Sequence, residues 1–263
     1  METQELRNFL IDIGYSVHSM NTIAVGLSKL NKDNCDIPEG LDISWEPKNI
    51  ERSKTLARSY AEKAAIIYSV ESFYIYIETI SKNPLWKHLD INVNGGDKKA
   101  DKVYNFLKKI PSIPEEMCIL CELAFHWRNR IVHASASKAR LSSKKIELIH
   151  QNEKKIYENY HHFNVVMALD NYERKKITLK DSSTLITILI KSSKLIDQFF
   201  LKELLPIESI EKITEELKNN DDFTRIIKWP NSDKRNRQIS TFMKLNFPYI
   251  HECYIDEIIK SVN

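Results

Sequence analysis

Glycine and proline are scarce in this chain, 5 and 8 among 263 residues. Tight hairpin turns depend on them, so an all-β sandwich or barrel is disfavoured and long helices are favoured. The breakers that do occur mark the ends of apolar-periodic runs. Residues 3–30 place Leu6, Phe9, Leu10, Ile13, Val17 and Met20 on one helical face. Pro38, Gly40 and Pro47 then interrupt a loop over 31–48. The pattern predicts a long helix over 50–81, stopped by Asn83-Pro84, and a short amphipathic helix over 98–109 after Asn94-Gly95-Gly96. With hydrophobic residues at 42%, these helices can bury a sizeable core.

Ser112, with Glu115 three residues later, reads as a capping box that opens a helix over 114–137. Two β-prone runs, 163–167 and 176–179, flank a polar turn and read as a small hairpin. Asp181 is expected to cap a helix over 182–205 that Pro206 ends. Residues 207–263 read as two or three shorter helices broken at Pro230 and Pro248. The expected fold is therefore all-α: a helical domain over 1–205 with a small inserted β-hairpin, and a C-terminal helical extension over 206–263.

Charge and cysteine usage exclude more than they indicate. The formal net charge of +3 does not announce nucleic acid, so any basic surface must be local. The 4 cysteines are Cys35, Cys118, Cys121 and Cys253. Cys118 and Cys121 form a C-x-x-C, but no second pair follows at zinc spacing. Their flanks, EEMCILCELAF, read as the apolar side of a helix. Buried core thiols are expected there, with no metal and no cofactor. The N-terminal METQELRNFLIDIG mixes polar and apolar residues, unlike a signal peptide. Lys191 and Lys194 interrupt the apolar stretch over 185–190 before it reaches transmembrane length. A cytoplasmic protein with reduced thiols and no membrane association is expected.

The chemistry-bearing segment is Arg128-Asn129-Arg130-Ile131-Val132-His133, near the end of the predicted helix over 114–137. An Arg and a His at such spacing arise about once by chance in a chain of this composition. Three additions make the segment informative. Asn129 follows Arg128 directly, Ile-Val precedes His133, and the carrier is a strongly apolar helix. On a regular helix His126, Asn129, Arg130 and His133 share one polar stripe, extended by Ser137. Arg128 and His133, five apart, lie roughly 140° apart around the axis. To meet, Arg128 must reach around, the helix must distort, or a partner protomer must complete the site.

These residues resemble the HEPN superfamily of helical domains. Its motif is an Arg, four to six residues, then a His, with a polar residue, often Asn, after the Arg. Arg128, Asn129 and His133 match it position by position. The resemblance covers roughly residues 1–205 and extends to the order of long helices before and after the motif. It implies a HEPN-like helical bundle and a metal-independent endoribonuclease whose two protomers face their motifs across a composite cleft. Many such proteins act as toxins or in antiviral defence; others are catalytically inactive RNA- or protein-binding modules in defence or regulatory complexes. The expected substrate is RNA, the expected assembly a homodimer, with an antitoxin or defence partner as a further candidate. One known antitoxin switch modifies a Tyr just after the motif His, but Ala134, Ser135 and Ala136 follow His133 here.

The residue chemistry fits that implication. Cleavage next to a 2′-OH needs a base, an acid and positive charge for the phosphorane. His133 can take or give a proton near neutrality. Arg128 stays charged and can hold two phosphate oxygens. Asn129 can fix the imidazole or a phosphate oxygen. Cleavage would leave a 2′,3′-cyclic phosphate and a 5′-OH. Arg130, Lys138 and Arg140 are the candidate RNA-binding cations, and a second basic cluster surrounds Trp229. His126 is expected on the surface or behind the site. Glu71 is the only formal charge between Lys63 and Glu78. A lone carboxylate in so apolar a run needs a partner, and Arg128 or Arg130 could anchor the motif helix through it.

Overall fold

The computed structural model describes residues 2–83, 86, 89–133, 140–203, 210–247 and 252–262. The helices are α1 (Gln4–Lys29), α2 (Ile50–Lys82), α3 (Lys99–Lys108), α4 (Glu115–Val132), α5 (Ser143–Gln151), α6 (Glu153–Asn159), α7 (Val165–Glu173), α8 (Leu179–Lys202), α9 (Ile210–Leu217), α10 (Asp221–Ile227), α11 (Asp233–Asn246) and α12 (Glu252–Ser261). No strand occurs among the described residues. The chain is all-helical. Among the described residues its extension carries four short helices, α9 to α12, rather than two or three.

Helix α2 organises the core. It packs along α1 and against α4 and α8, and α4 also lies on α3 and α8. Phe9 of α1, Phe73 and Tyr76 of α2 and Phe125 of α4 form one aromatic cluster. Its ring centroids include 5.8 Å between Phe9 and Phe73 and 6.4 Å between Phe73 and Phe125. Buried aromatics of this kind supply much of a core's apolar area. Polar locks fix the register. The Tyr76 hydroxyl donates to the Ser193 carbonyl at 3.0 Å. The Thr3 backbone N–H donates to Asp197 at 3.2 Å, and the Thr3 hydroxyl donates to the same carboxylate. Thr3 in turn caps α1 by accepting from Leu6 N. After residue 209 the main pairings are α9 with α12, α10 with α11 and α11 with α12.

Three local expectations are corrected. The hairpin over 163–179 is instead helix α7 and the start of α8. Asn164 caps α7 by accepting from Met167 N at 2.9 Å, and Val165, Ala168 and Tyr172 bury one helical face. Caps and burial at i, i+3 and i+7 outweigh the β propensity of the two valines. A Schellman-type turn closes α7: Lys176 N donates to Asn171 O at 2.9 Å and Lys175 N to Tyr172 O at 3.1 Å. Lys175 takes the left-handed position at φ 57°.

The cap of α8 is Thr178, not Asp181. Thr178 accepts from Asp181 N at 3.1 Å, and the Asp181 carboxylate returns to Thr178 N at 3.1 Å, a reciprocal capping box. No such box forms at α4, whose N-cap is Pro114. Glu115 turns instead to the Tyr104 hydroxyl at 2.9 Å and to Lys108 at 3.1 Å. Glu115 and Glu116 still place negative charge in the first turn, where the helix dipole favours it.

Candidate active site around Arg128, Asn129 and His133

Helix α4 ends at Val132, five residues earlier than the apolar pattern suggests. His133 is its C-cap. The His133 N–H still closes the last turn on Asn129 O at 2.9 Å, but its backbone is extended, at φ −114° and ψ 104°. The Arg128 side chain is long enough to reach across to the His133 ring. The Arg128 guanidinium therefore donates to His133 Nε2 at 3.2 Å, and the same terminal nitrogen donates to Asn129 Oδ1 at 3.1 Å. A guanidinium can only donate, so the contact is a hydrogen bond in the tautomer whose Nε2 is an acceptor. The His133 side chain is exposed, and Arg128 and Asn129 are half-buried.

Glu71 of α2 holds the other side of Arg128. Its Oε1 lies 2.6 Å from Arg128 Nε, a close ion contact rather than an aligned hydrogen bond. Its Oε2 accepts from Lys99 Nζ of α3 at 2.8 Å. Burial pushes the Glu71 carboxyl up, but the Lys99 hydrogen bond and the Arg128 charge outweigh it and hold the group below its ordinary value. The carboxylate thus stays ionised and fixes the guanidinium while a terminal nitrogen of Arg128 reaches His133. Glu71 meets Arg128 and not Arg130.

Arg130 faces a different element. Its side chain is only 7% exposed. The guanidinium lies over the Tyr172 ring at 3.9 Å, donates to the Tyr172 carbonyl, and stands 3.7 Å from Glu173. A cation at the C-terminus of α7 adds a second donor to a carbonyl that already closes the turn, at the end of the helix where the dipole favours positive charge. Trp127 packs edge-on with Tyr172, its ring centroid 4.9 Å away. The Arg130 guanidinium is thus engaged within the fold. Arg140 is exposed, and Lys138 lies outside the described residues.

His126 is buried rather than on the surface. It lies 3.4 Å from Glu122, whose other oxygen meets Lys145 of α5 at 2.5 Å. Lys145 also lies over the Tyr104 ring at 3.5 Å. Neighbouring Glu116 pairs with Lys155 at 2.6 Å. This acidic face of α4 binds α5 and α6 and stands apart from the Arg128 contacts. Around Trp229, Arg235 is buried and donates to the Trp229 carbonyl at 3.2 Å, while Arg225 pairs with Asp222 at 2.7 Å.

Cys118 and Cys121 lie wholly in the core. Cys121 Sγ sits 3.2 Å from Ser192 Oγ. Burial pushes the Cys118 thiol up to about 12 and raises Cys121 further. Neither is a thiolate ligand or nucleophile near neutrality. Among the described residues no group of three or more His, Cys, Asp or Glu is placed to share a metal ion, and no helix is long and apolar enough to cross a membrane.

The chain matches no protein-family model, no curated protein and no solved structure. The site must therefore be interpreted from its own geometry. Sequence spacing brings Arg128, Asn129 and His133 into view. It gives no signal for Lys99, which is separated from Glu71 by 28 positions and joins the site only through the packing of α3 on α4.

Proposed function

We propose that this protein is a metal-independent endoribonuclease with a HEPN-like helical fold, working as a homodimer, as a toxin or antiviral-defence effector. The observation that carries this reading is the contact between Arg128 and His133 Nε2 at 3.2 Å, made at an exposed imidazole and braced from behind by Glu71. A fixed cation beside an exposed imidazole suits in-line attack by a 2′-OH on its own phosphodiester.

In this mechanism a phosphate oxygen replaces His133 on the Arg128 guanidinium. The released Nε2 takes the 2′-OH proton as the 2′-oxygen bonds to phosphorus. The bond to the 5′-oxygen breaks, and that oxygen leaves with a proton from a second acid. Arg128 carries the charge of the phosphorane. Asn129 keeps the guanidinium plane in place. One His133 per chain supplies one proton transfer, so the second imidazole comes from the other protomer. Support for pairing near the site comes from α2: Tyr68 and Ile75 are exposed apolar side chains on the same helical face as Glu71.

The test is cleavage of total RNA in the presence of a chelator by wild type and by His133→Ala, with analysis of the product ends. The reading requires 2′,3′-cyclic phosphate and 5′-OH ends from wild type and none from the variant. Equal cleavage by both, or dependence on added metal, would overturn it. RNA binding without turnover would identify a catalytically inactive binding module.

A further inference from the structure

We infer that Lys99 is a second phosphate-binding cation of this site, and that Lys99 and Arg128, bridged by Glu71, form a two-cation cradle for the RNA backbone. The inference rests on the ribonuclease reading and extends it to a residue outside the motif.

One carboxylate here serves two cations. Glu71 Oε1 faces Arg128 at 2.6 Å and Oε2 faces Lys99 at 2.8 Å. The formal charges of Glu71, Arg128 and Lys99 sum to one net positive charge. The next acid along α2 is Glu78, one turn beyond Tyr74. Its carboxylate is directed to the phenol: burial first, and then Glu78, raises the Tyr74 hydroxyl. Glu71 thus leaves the cluster short of one negative charge, and a phosphodiester supplies that charge.

Lys99 is placed to meet it. Its side chain is 42% exposed, whereas that of Arg130, the cation next to the motif in sequence, is nearly closed off. Its ammonium lies 4.4 Å from the centre of the Tyr74 ring, which fixes the aliphatic stem while leaving other donors of the ammonium open. Lys99 also comes from α3, so its charge reaches the site from a different direction than Arg128 on α4. A guanidinium and an ammonium approaching from two helices can hold different oxygens of one backbone. On binding, Lys99 shifts from Glu71 toward the phosphate, and Glu71 remains paired with Arg128.

The experiment measures binding of a short 2′-O-methyl oligouridylate to the full chain as a function of salt. This probe has the backbone charge of RNA and no 2′-OH to react. Four proteins are compared: wild type, Lys99→Gln, Lys99→Arg and Lys260→Gln, a surface lysine of α12. For a single strand each phosphate contact contributes about 0.7 to the slope of log affinity against log salt. The expected result is a slope lower by about 0.7 for Lys99→Gln, restoration by Lys99→Arg, and no change for Lys260→Gln. A wild-type slope in Lys99→Gln overturns the inference, even if that variant melts at a lower temperature, because a purely structural lysine would alter stability and not the slope. Failure of wild type to bind the probe overturns it as well. The two readings separate cleanly. Binding with a Lys99-dependent slope but no cleavage of total RNA removes the nuclease and keeps the cradle; cleavage with a Lys99-independent slope does the reverse.

Discussion

Arg128 donates to Nε2 of His133 at 3.2 Å although the two residues are five apart in the chain. On a continuous helix they would point roughly 140° apart. They meet where α4 stops at Val132 and His133 leaves it in an extended conformation, with the long Arg128 side chain reaching across to the imidazole. The helix terminus is therefore part of the site, and it places a titratable side chain at the surface beside a half-buried cation.

This placement lets function be separated from stability at His133. The side chain is exposed, so His133→Ala should leave the unfolding free energy from urea titration within about 0.5 kcal/mol of wild type. RNA cleavage should fall by at least about a hundredfold, the usual scale for loss of a general base. A matched loss of stability and activity in the same preparation would count against an acid–base role.

Glu71 should show the complementary behaviour. Its folded carboxyl lies below the ordinary 4.5, so its pairing contributes stability above that value and loses it as the pH falls through the folded value. The stability difference between wild type and Glu71→Gln should be constant from neutral pH to about 5 and shrink below about 4.5. Because the side chain is about a third exposed, the difference should be about 1 kcal/mol or less. Cleavage by Glu71→Gln should drop roughly 10- to 100-fold through misplacement of Arg128. Urea unfolding across pH, beside initial rates, checks both parts.

Arg130 should act as a structural residue. It stacks on Tyr172, donates to the end of α7, and is nearly buried. Arg130→Ala should cost about 2–3 kcal/mol. Arg130→Lys should recover little of this, since an ammonium cannot stack as a flat guanidinium does. Denaturant unfolding measures the cost. An unchanged midpoint in Arg130→Ala would show that the contact with α7 contributes nothing.

The turn after α7 gives a prediction that separates a helix from a hairpin. Lys175 adopts φ 57°, a conformation that a side chain disfavours. Lys175→Gly should stabilise the protein by about 1 kcal/mol. Asn164→Ala removes the N-cap of the same helix and should cost about 1 kcal/mol. A rise and a fall of this size in thermal unfolding would follow from α7 as described; two neutral variants would not.

The core thiols should be silent in the native state. Burial holds Cys118 at about 12 and Cys121 higher, so a thiol-specific alkylating agent at pH 8 should leave both unmodified until the chain unfolds. Mass mapping of the modified peptides reads this directly. Labelling of Cys121 as fast as that of the partly exposed Cys35 would contradict the packing of α4 on α8.

The sequence by itself determined the helices whose evidence is local. Scarce glycine, one-sided apolar spacing and flanking prolines suffice for α1, α2 and α3, because the period of burial is written directly into residue order. The apolar flanks of Cys118 and Cys121 likewise gave away two buried thiols. Tertiary structure decided the remainder, since those choices depend on contacts between distant residues. Val165 and Val166 favour a strand in isolation, yet packing of Tyr172 beneath Arg130 and Trp127 makes that segment a helix. Of two adjacent candidate cations, Arg128 turns to Glu71 and Arg130 to α7, a division set by which helix lies on each face of α4. Lys99 enters the site only because α3 packs beside it. Spacing along the chain identifies which side chains a helix can present; only the packing of other helices determines which are buried, which are paired and which remain open to a substrate.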